Sequence, residues 1–198
     1  MRIENFQVVG NARPHGYTDE MILSDVRSFG VEVEKIFGPA VNEWSIGGVR
    51  FDPKANQPCL WYPYGLQGVV MVNLDRNATT SIEFSRFQLA HEMVHCINPS
   101  GGNSANVLEE GMAAWFQQSY ATKKLKGFVQ LGDKKYIEAR KLFNKFVKKS
   151  KVANPIARIR KVEPYLHKVT HETFVATGIA LPADLEEVLL SKFENFAG

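Results

Sequence analysis

The sequence predicts an α+β fold, in which an N-terminal helix and a mixed sheet precede a mainly helical C-terminal half. Three observations predict it. Strand-like runs rich in β-branched and aromatic residues end at Leu74. From Thr80 onward apolar residues recur at helical spacing. The length, 198 residues, is enough for one sizeable core and does not require two. The chain 1–198 is therefore read as one domain, with a helix-and-sheet part over 1–80 and a helical part over 81–198.

Taken in order, Gln7-Val8-Val9 reads as a short strand followed by a loop carrying Gly10, Pro14 and Gly16. Thr18 is placed to cap a helix whose first turn, Asp19-Glu20, is acidic, as the helix dipole favours. Ile22, Val26, Phe29, Val33, Ile36 and Phe37 keep its apolar face, and Gly38-Pro39 ends it. Trp44-Ser45-Ile46 and Val49-Arg50-Phe51 read as strand on either side of a Gly47-Gly48 turn or bulge, and Cys59 to Tyr62 and Gly68 to Leu74 as two more strands. Thr80-Ser81-Ile82-Glu83 has the form of a capping box, with Thr80 at the N-cap. The helix it opens is expected to bury Phe84, Phe87, Ala90, Val94 and Ile97, and Asn98-Pro99 with Gly101-Gly102 to close it. A further helix is expected through Glu110 to about Lys124. Asp133 caps another, burying Tyr136, Ile137, Leu142, Phe143, Phe146 and Val147. A short basic helix follows Asn154-Pro155, and a last one runs from Leu181-Pro182 to Phe193.

The chemistry is concentrated in His91-Glu92-Met93-Val94-His95. On a helix, side chains at i and i+4 are neighbours on one face, so His91 and His95 can share one metal ion. Glu92 lies beside them, placed to take a proton from a metal-activated water without being a ligand. Histidine is scarce, five in the chain, so the pairing carries weight. A catalytic zinc usually needs a third protein ligand and keeps one open position. Glu109 and Glu110 are the nearest candidates downstream.

His91, Glu92, His95 and the later Glu110-Gly111-x-Ala113 resemble the gluzincin group of zinc metallopeptidases. The resemblance implies a small zincin-like metalloprotease domain that hydrolyses peptide bonds. It also implies Zn2+ as cofactor, His91, His95 and Glu110 as ligands, and Glu92 as general base. The glycine after the ligand favours Glu110 over Glu109. The chain departs from the pattern at Glu109, where many relatives have Asn, and at Ala114, where thermolysin-like members have an Asp that orients the first histidine. A narrower similarity, over roughly 60–120, is to small regulatory metalloproteases of the ImmA/IrrE type, which act on repressors of mobile elements; it rests on Val69 to Asn73 and on Arg86 to Ala90 leading into His91. Gluzincins add a downstream His or Tyr that stabilises the oxyanion. The candidates here are His171, preferred for its separation from Glu110, and Tyr165; a surface role for the histidines is an equal reading. His167 and His171 would share a face if helical. The resemblance further implies a peptide or protein substrate held as an added strand, at Val69–Asn73.

Trp44, Trp61, Tyr62 and Tyr64 are read as packing residues first and cleft residues second. No signal peptide and no apolar run of membrane-span length is seen, so no membrane partner and a cytoplasmic location are expected. Cys59 and Cys96 are far apart and form no metal-binding pair spacing, which argues against a disulfide framework. Charge is uneven. From Thr122 to Lys168 there are fifteen Lys or Arg against three acids, net +12, and elsewhere nine against eighteen, net −9. No nucleic-acid motif accompanies Lys145, Lys148, Lys149 and Lys151, so a solvated face or a patch for an acidic protein partner is the stronger reading. Two other functions stay open. One is a catalytically inactive or regulatory metal-binding protein acting through a protein partner; the weaker one is a basic nucleic-acid-associated module.

Overall fold

Four strand-forming segments make one mixed sheet in a computed structural model that describes residues 1–102 and 105–198. They are β1 (Arg2–Val9), β2 (Ser45–Phe51), β3 (Cys59–Trp61) and β4 (Val69–Leu74), in spatial order β1-β2-β4-β3. β1, β2 and β4 are parallel, and β3 runs antiparallel to β4. Parallel neighbours need a crossover. The connection between β1 and β2 contains α1 (Asp19–Phe37), whose N-cap is Thr18, accepting from the Met21 amide.

β1 starts at Arg2, earlier than the apolar run Gln7–Val9 suggests, because Arg2 and Ile3 also pair with β2, ahead of an irregularity over 4–6 where Asn5 has φ 48°. β2 is a single strand, with Gly47-Gly48 inside it as a bulge where the register shifts. A Cβ on Gly48 would run into the backbone of Gln7, so the bulge admits only glycine. β4 is buried almost throughout, with Val70, Val72 and Leu74 at zero exposure. Each such side chain contributes roughly 1.5–3 kcal/mol by leaving water.

Seven α-helices are described. The helix carrying His91 and His95 is α2 (Ile82–His95). Its N-cap is Ser81, which accepts from the Phe84 amide, while the Thr80 hydroxyl donates to the Asn77 carbonyl of the preceding 3-10 turn. The expected capping box is thus displaced by one residue, and Glu83 falls too early in the helix to close it. From Ser85 to His95 only Arg86 is not buried, so beyond its first turn α2 has no solvent face. Phe84 is the exception to the expected apolar stripe; it is exposed. The Gln88 side chain joins α2 to the end of β4, accepting from the Asp75 amide and donating to its carboxylate.

α3 (Val107–Lys124) is capped by Asn106, and α4 (Lys134–Ser150) by Asp133. They pack closely because a Cβ on Gly111 would meet the Ala139 carbonyl oxygen. α4 buries Ala139, Phe143 and Phe146; Tyr136, Ile137 and Leu142 are half-buried, and Val147 is exposed. α5 (Pro155–Ile159), α6 (His171–Ala176) and α7 (Ala183–Leu190) complete the set. α7 stops before Phe193, which lies in a 3-10 turn. One core cluster runs from Ile46 and Val70 of the sheet to Phe146, Phe174 and Leu189 of the helices.

The buried Arg160 ties helix ends together. Its guanidinium donates to the carbonyls of Phe37, Gly38 and Pro39, after α1, and of Ile97, after α2. Burial pulls its pKa down to about 10. No helix among the described residues is long and apolar enough to cross a membrane. Cys59 and Cys96 are both free thiols.

Candidate metal centre

The i,i+4 spacing on α2 brings the two imidazoles together, with Nε2 of His91 3.3 Å from Nε2 of His95. α3 supplies the third group. Its first turn is acidic, and with Asn106 as cap it presents Glu109 and Glu110 side by side against α2. Glu110 Oε2 is 3.2 Å from His91 Nε2, and Oε1 is 3.6 Å from His95 Nε2. His91, His95 and Glu110 are the three groups, among the described residues, whose ligand atoms all fall within 4.8 Å of one another.

The surrounding hydrogen bonds decide what those atoms offer. Gln117 donates its side-chain amide to the Phe87 carbonyl, which turns its oxygen towards His91 Nδ1 at 3.3 Å. Glu109 Oε1 lies 2.9 Å from His95 Nδ1. A carbonyl and a carboxylate oxygen accept, so each imidazole in its neutral form carries its proton on Nδ1 and presents a lone pair at Nε2. Two lone pairs and a carboxylate at such distances repel one another unless a cation lies among them. Donors on a tetrahedral zinc with bonds of about 2.0–2.1 Å are spaced about 3.3 Å apart, so the three residues fit such an ion.

Without a cation the same field acts on protons. Burial pushes the Glu110 pKa up, but His95 and His91 beside it outweigh burial and hold it well below the carboxylate range. For His95, burial works against protonation while Glu110 and Glu109 favour it, and the net shift is well upward. Glu92 is a separate case. It is buried, no hydrogen-bond partner meets its carboxylate among the described residues, and burial raises its pKa against the lowering by His91 and His95. The charge at this site is thus divided between a carboxylate locked among histidines and one left free.

The ligands and Glu92 line a cavity of about 380 Å³, walled on one side by Cys59 and Leu60 of β3 and by Tyr62, and on another by Tyr136 of α4. A second hollow of about 350 Å³ shares His91 and Tyr136 with it and continues past Phe87 and Gln88 to Leu131. Together they make a cleft across the metal centre. Of the four aromatic residues singled out by composition, Tyr62 lines the cleft and Trp44 supports it at 5.3 Å between rings. Trp61 lies under Arg50, and Tyr64 is fully exposed.

Neither sequence-derived candidate for the oxyanion lies on this cleft. His171 opens α6 with its side chain 67% exposed, 2.6 Å from Glu186 of α7. His167 is in a separate 3-10 turn, so the two histidines do not share a helix. Tyr165 stacks near His167 and under Lys168. Tyr136 is the residue missed. Its ring stands edge-on to His91 at 5.4 Å, and burial followed by the charges of Glu110 and Glu92 drives its phenol pKa well upward. Nothing local marks Tyr136. Gln117, also missed, had a signal: it lies two turns after Glu110 on the same face of α3.

β4 is bonded to β2 along its whole length and to β3 over 71–73, so the strand addition expected at Val69–Asn73 finds no open edge over those three residues. The sheet edge beside the metal centre is β3. Comparison with protein-family models, with curated proteins and with solved structures found no match.

Proposed function

We propose that this chain is a gluzincin-type zinc metallopeptidase that hydrolyses peptide bonds with Glu92 as general base. One observation carries the reading: two bare Nε2 atoms and Glu110 converge on one point, while a separate, unpartnered carboxylate, Glu92, lines the same cavity. Two imidazoles and one carboxylate suit zinc, which when bound would act as a Lewis acid and lower the pKa of a coordinated water towards ~7. His91, His95 and Glu110 would hold the ion. Gln117 and Glu109 orient the two imidazoles through Nδ1.

Glu92, with its raised pKa, accepts a proton from the attacking water and returns it to the leaving amine. Tyr136, kept protonated, takes the place of His171 and Tyr165 as donor to the oxyanion. An extended substrate adds to the free edge of β3 rather than to β4, its main chain bonded to that strand. Alternate side chains then reach the hollow past Phe87 and Leu131.

The test is elemental analysis of protein purified without added metal, combined with Glu92→Gln. The variant is expected to keep zinc and the thermal midpoint but lose nearly all cleavage of a fluorescence-quenched peptide library. Comparable turnover by Glu92→Gln removes Glu92 from the role of base. Zinc bound by a wild type that cuts no library member replaces the peptidase with a regulatory metal protein.

A further inference from the structure

On the far side of α3 from the metal centre lies an apolar groove that catalysis does not use. Trp115 is about 140° around the helix from Glu110 at 100° per residue, and it forms the groove floor. A hollow of about 150 Å³ there is walled by Phe37, Phe143, Val147 and Ile156. It runs on past Ile36 and Trp115 to Lys123 and Lys124 at the end of α3. Val147 is 41% exposed at its edge, a branched apolar side chain in a helix otherwise rich in lysine.

The rim is basic at both ends. On α4, Asn144 and Val147 line the hollow, Arg140 and Lys148 lie four residues before and after Asn144 on the same stripe, and Lys151 follows as the C-cap residue of the helix. Lys123, Lys124, Lys148 and Lys151 are exposed, and none is in an ion pair among the described residues; the ion pair found on α4 is Lys141 with Glu138. Arg140 Nε is buried without a hydrogen-bond partner. Glu32 is the single acid on the groove wall. An apolar floor inside a cationic rim matches a segment with an apolar anchor and acidic flanks.

We infer that the groove between α1, α3 and α4 is a docking site for an acidic protein segment, with an apolar anchor seated on Trp115 and Val147 and carboxylates meeting the rim lysines. Charge complementarity selects this occupant. A nucleic acid would need open ring faces for stacking, whereas Trp115 packs against Phe37 and Phe143, at 6.0 and 5.9 Å. The inference stands apart from the peptidase reading, because the groove shares no lining residue with the metal cavity.

The probe is a fluorescein-labelled peptide with a central Leu-Phe pair flanked by glutamates, followed by anisotropy. Binding is expected to weaken as salt rises, and to fall about tenfold or more with Val147→Glu and with the Lys148→Glu, Lys151→Glu double variant. These positions are exposed, and an unchanged thermal midpoint would show that the variants fold. Glu92→Gln is expected to bind as the wild type does. The inference is overturned if a peptide with Ser-Ser at its centre binds equally well, if Glu92→Gln loses the peptide, or if a single-stranded oligonucleotide binds more tightly and is indifferent to Val147→Glu.

Discussion

The two walls of the cleft are built differently. The metal wall comes from two consecutive helices, α2 and the first turns of α3, and its groups are held by polar contacts between them: His91 to Gln117, His95 to Glu109, and both histidines to Glu110. The opposite wall is assembled from distant pieces, β3 at Cys59 and Leu60 and α4 at Tyr136. Among the described residues no side-chain hydrogen bond holds Tyr136; it is set by the close approach of α4 to α3 at Gly111 and by Phe193, whose ring is 4.9 Å away. A helix repeat can align chemistry within one motif, while only packing can set chemistry opposite it.

The largest break in that contrast is removal of the metal wall's own donors. His95→Ala and Glu110→Ala are each expected to abolish stoichiometric zinc, measured by elemental analysis after dialysis; full occupancy in both would end the ligand assignment. Next comes the packed wall. Tyr136→Phe keeps the ring and removes the hydroxyl, so kcat is expected to fall by roughly 10²–10³ with zinc content and KM little changed. If kcat is unchanged, Tyr136 is only a packing residue.

The orienting shell sharpens the comparison. Glu109→Ala is expected to lower zinc affinity by roughly 10–100-fold, read by chelator competition, and Gln117→Ala to lie at the weaker end of that range. The difference follows from charge, since the Glu109 carboxylate is 2.9 Å from His95 and the Gln117 amide 3.3 Å from His91. Equal losses would mean that orientation alone matters. The smallest effect is expected from His171→Ala. Its contact with Glu186 is made by an exposed imidazole and is worth about 0–1 kcal/mol, so the thermal midpoint and kcat should barely move. A hundredfold loss of kcat would return His171 to the site.

By itself the sequence determined what short-range geometry can determine. The pairing of His91 with His95 and the capping of α1 by Thr18 and of α4 by Asp133 all follow from spacing of a few residues, whereas the choice between a turn and a bulge at Gly47-Gly48 fell to the sheet. Tertiary structure decided the rest. Strand order turned Val69–Asn73 from an expected edge into an inner strand, because hydrogen-bonded neighbours are chosen by the sheet and not by the strand's own residues. Burial of α2 on every side beyond its first turn erased the stripe expected of a surface helix and left Phe84 outside. The choice of Tyr136 over His171 and Tyr165 rested on how closely two helices approach, and Gly111 permits that approach without announcing which side chain it brings in. Covalent neighbours constrain angles within a turn, but a contact across the fold is settled only when the whole core has packed.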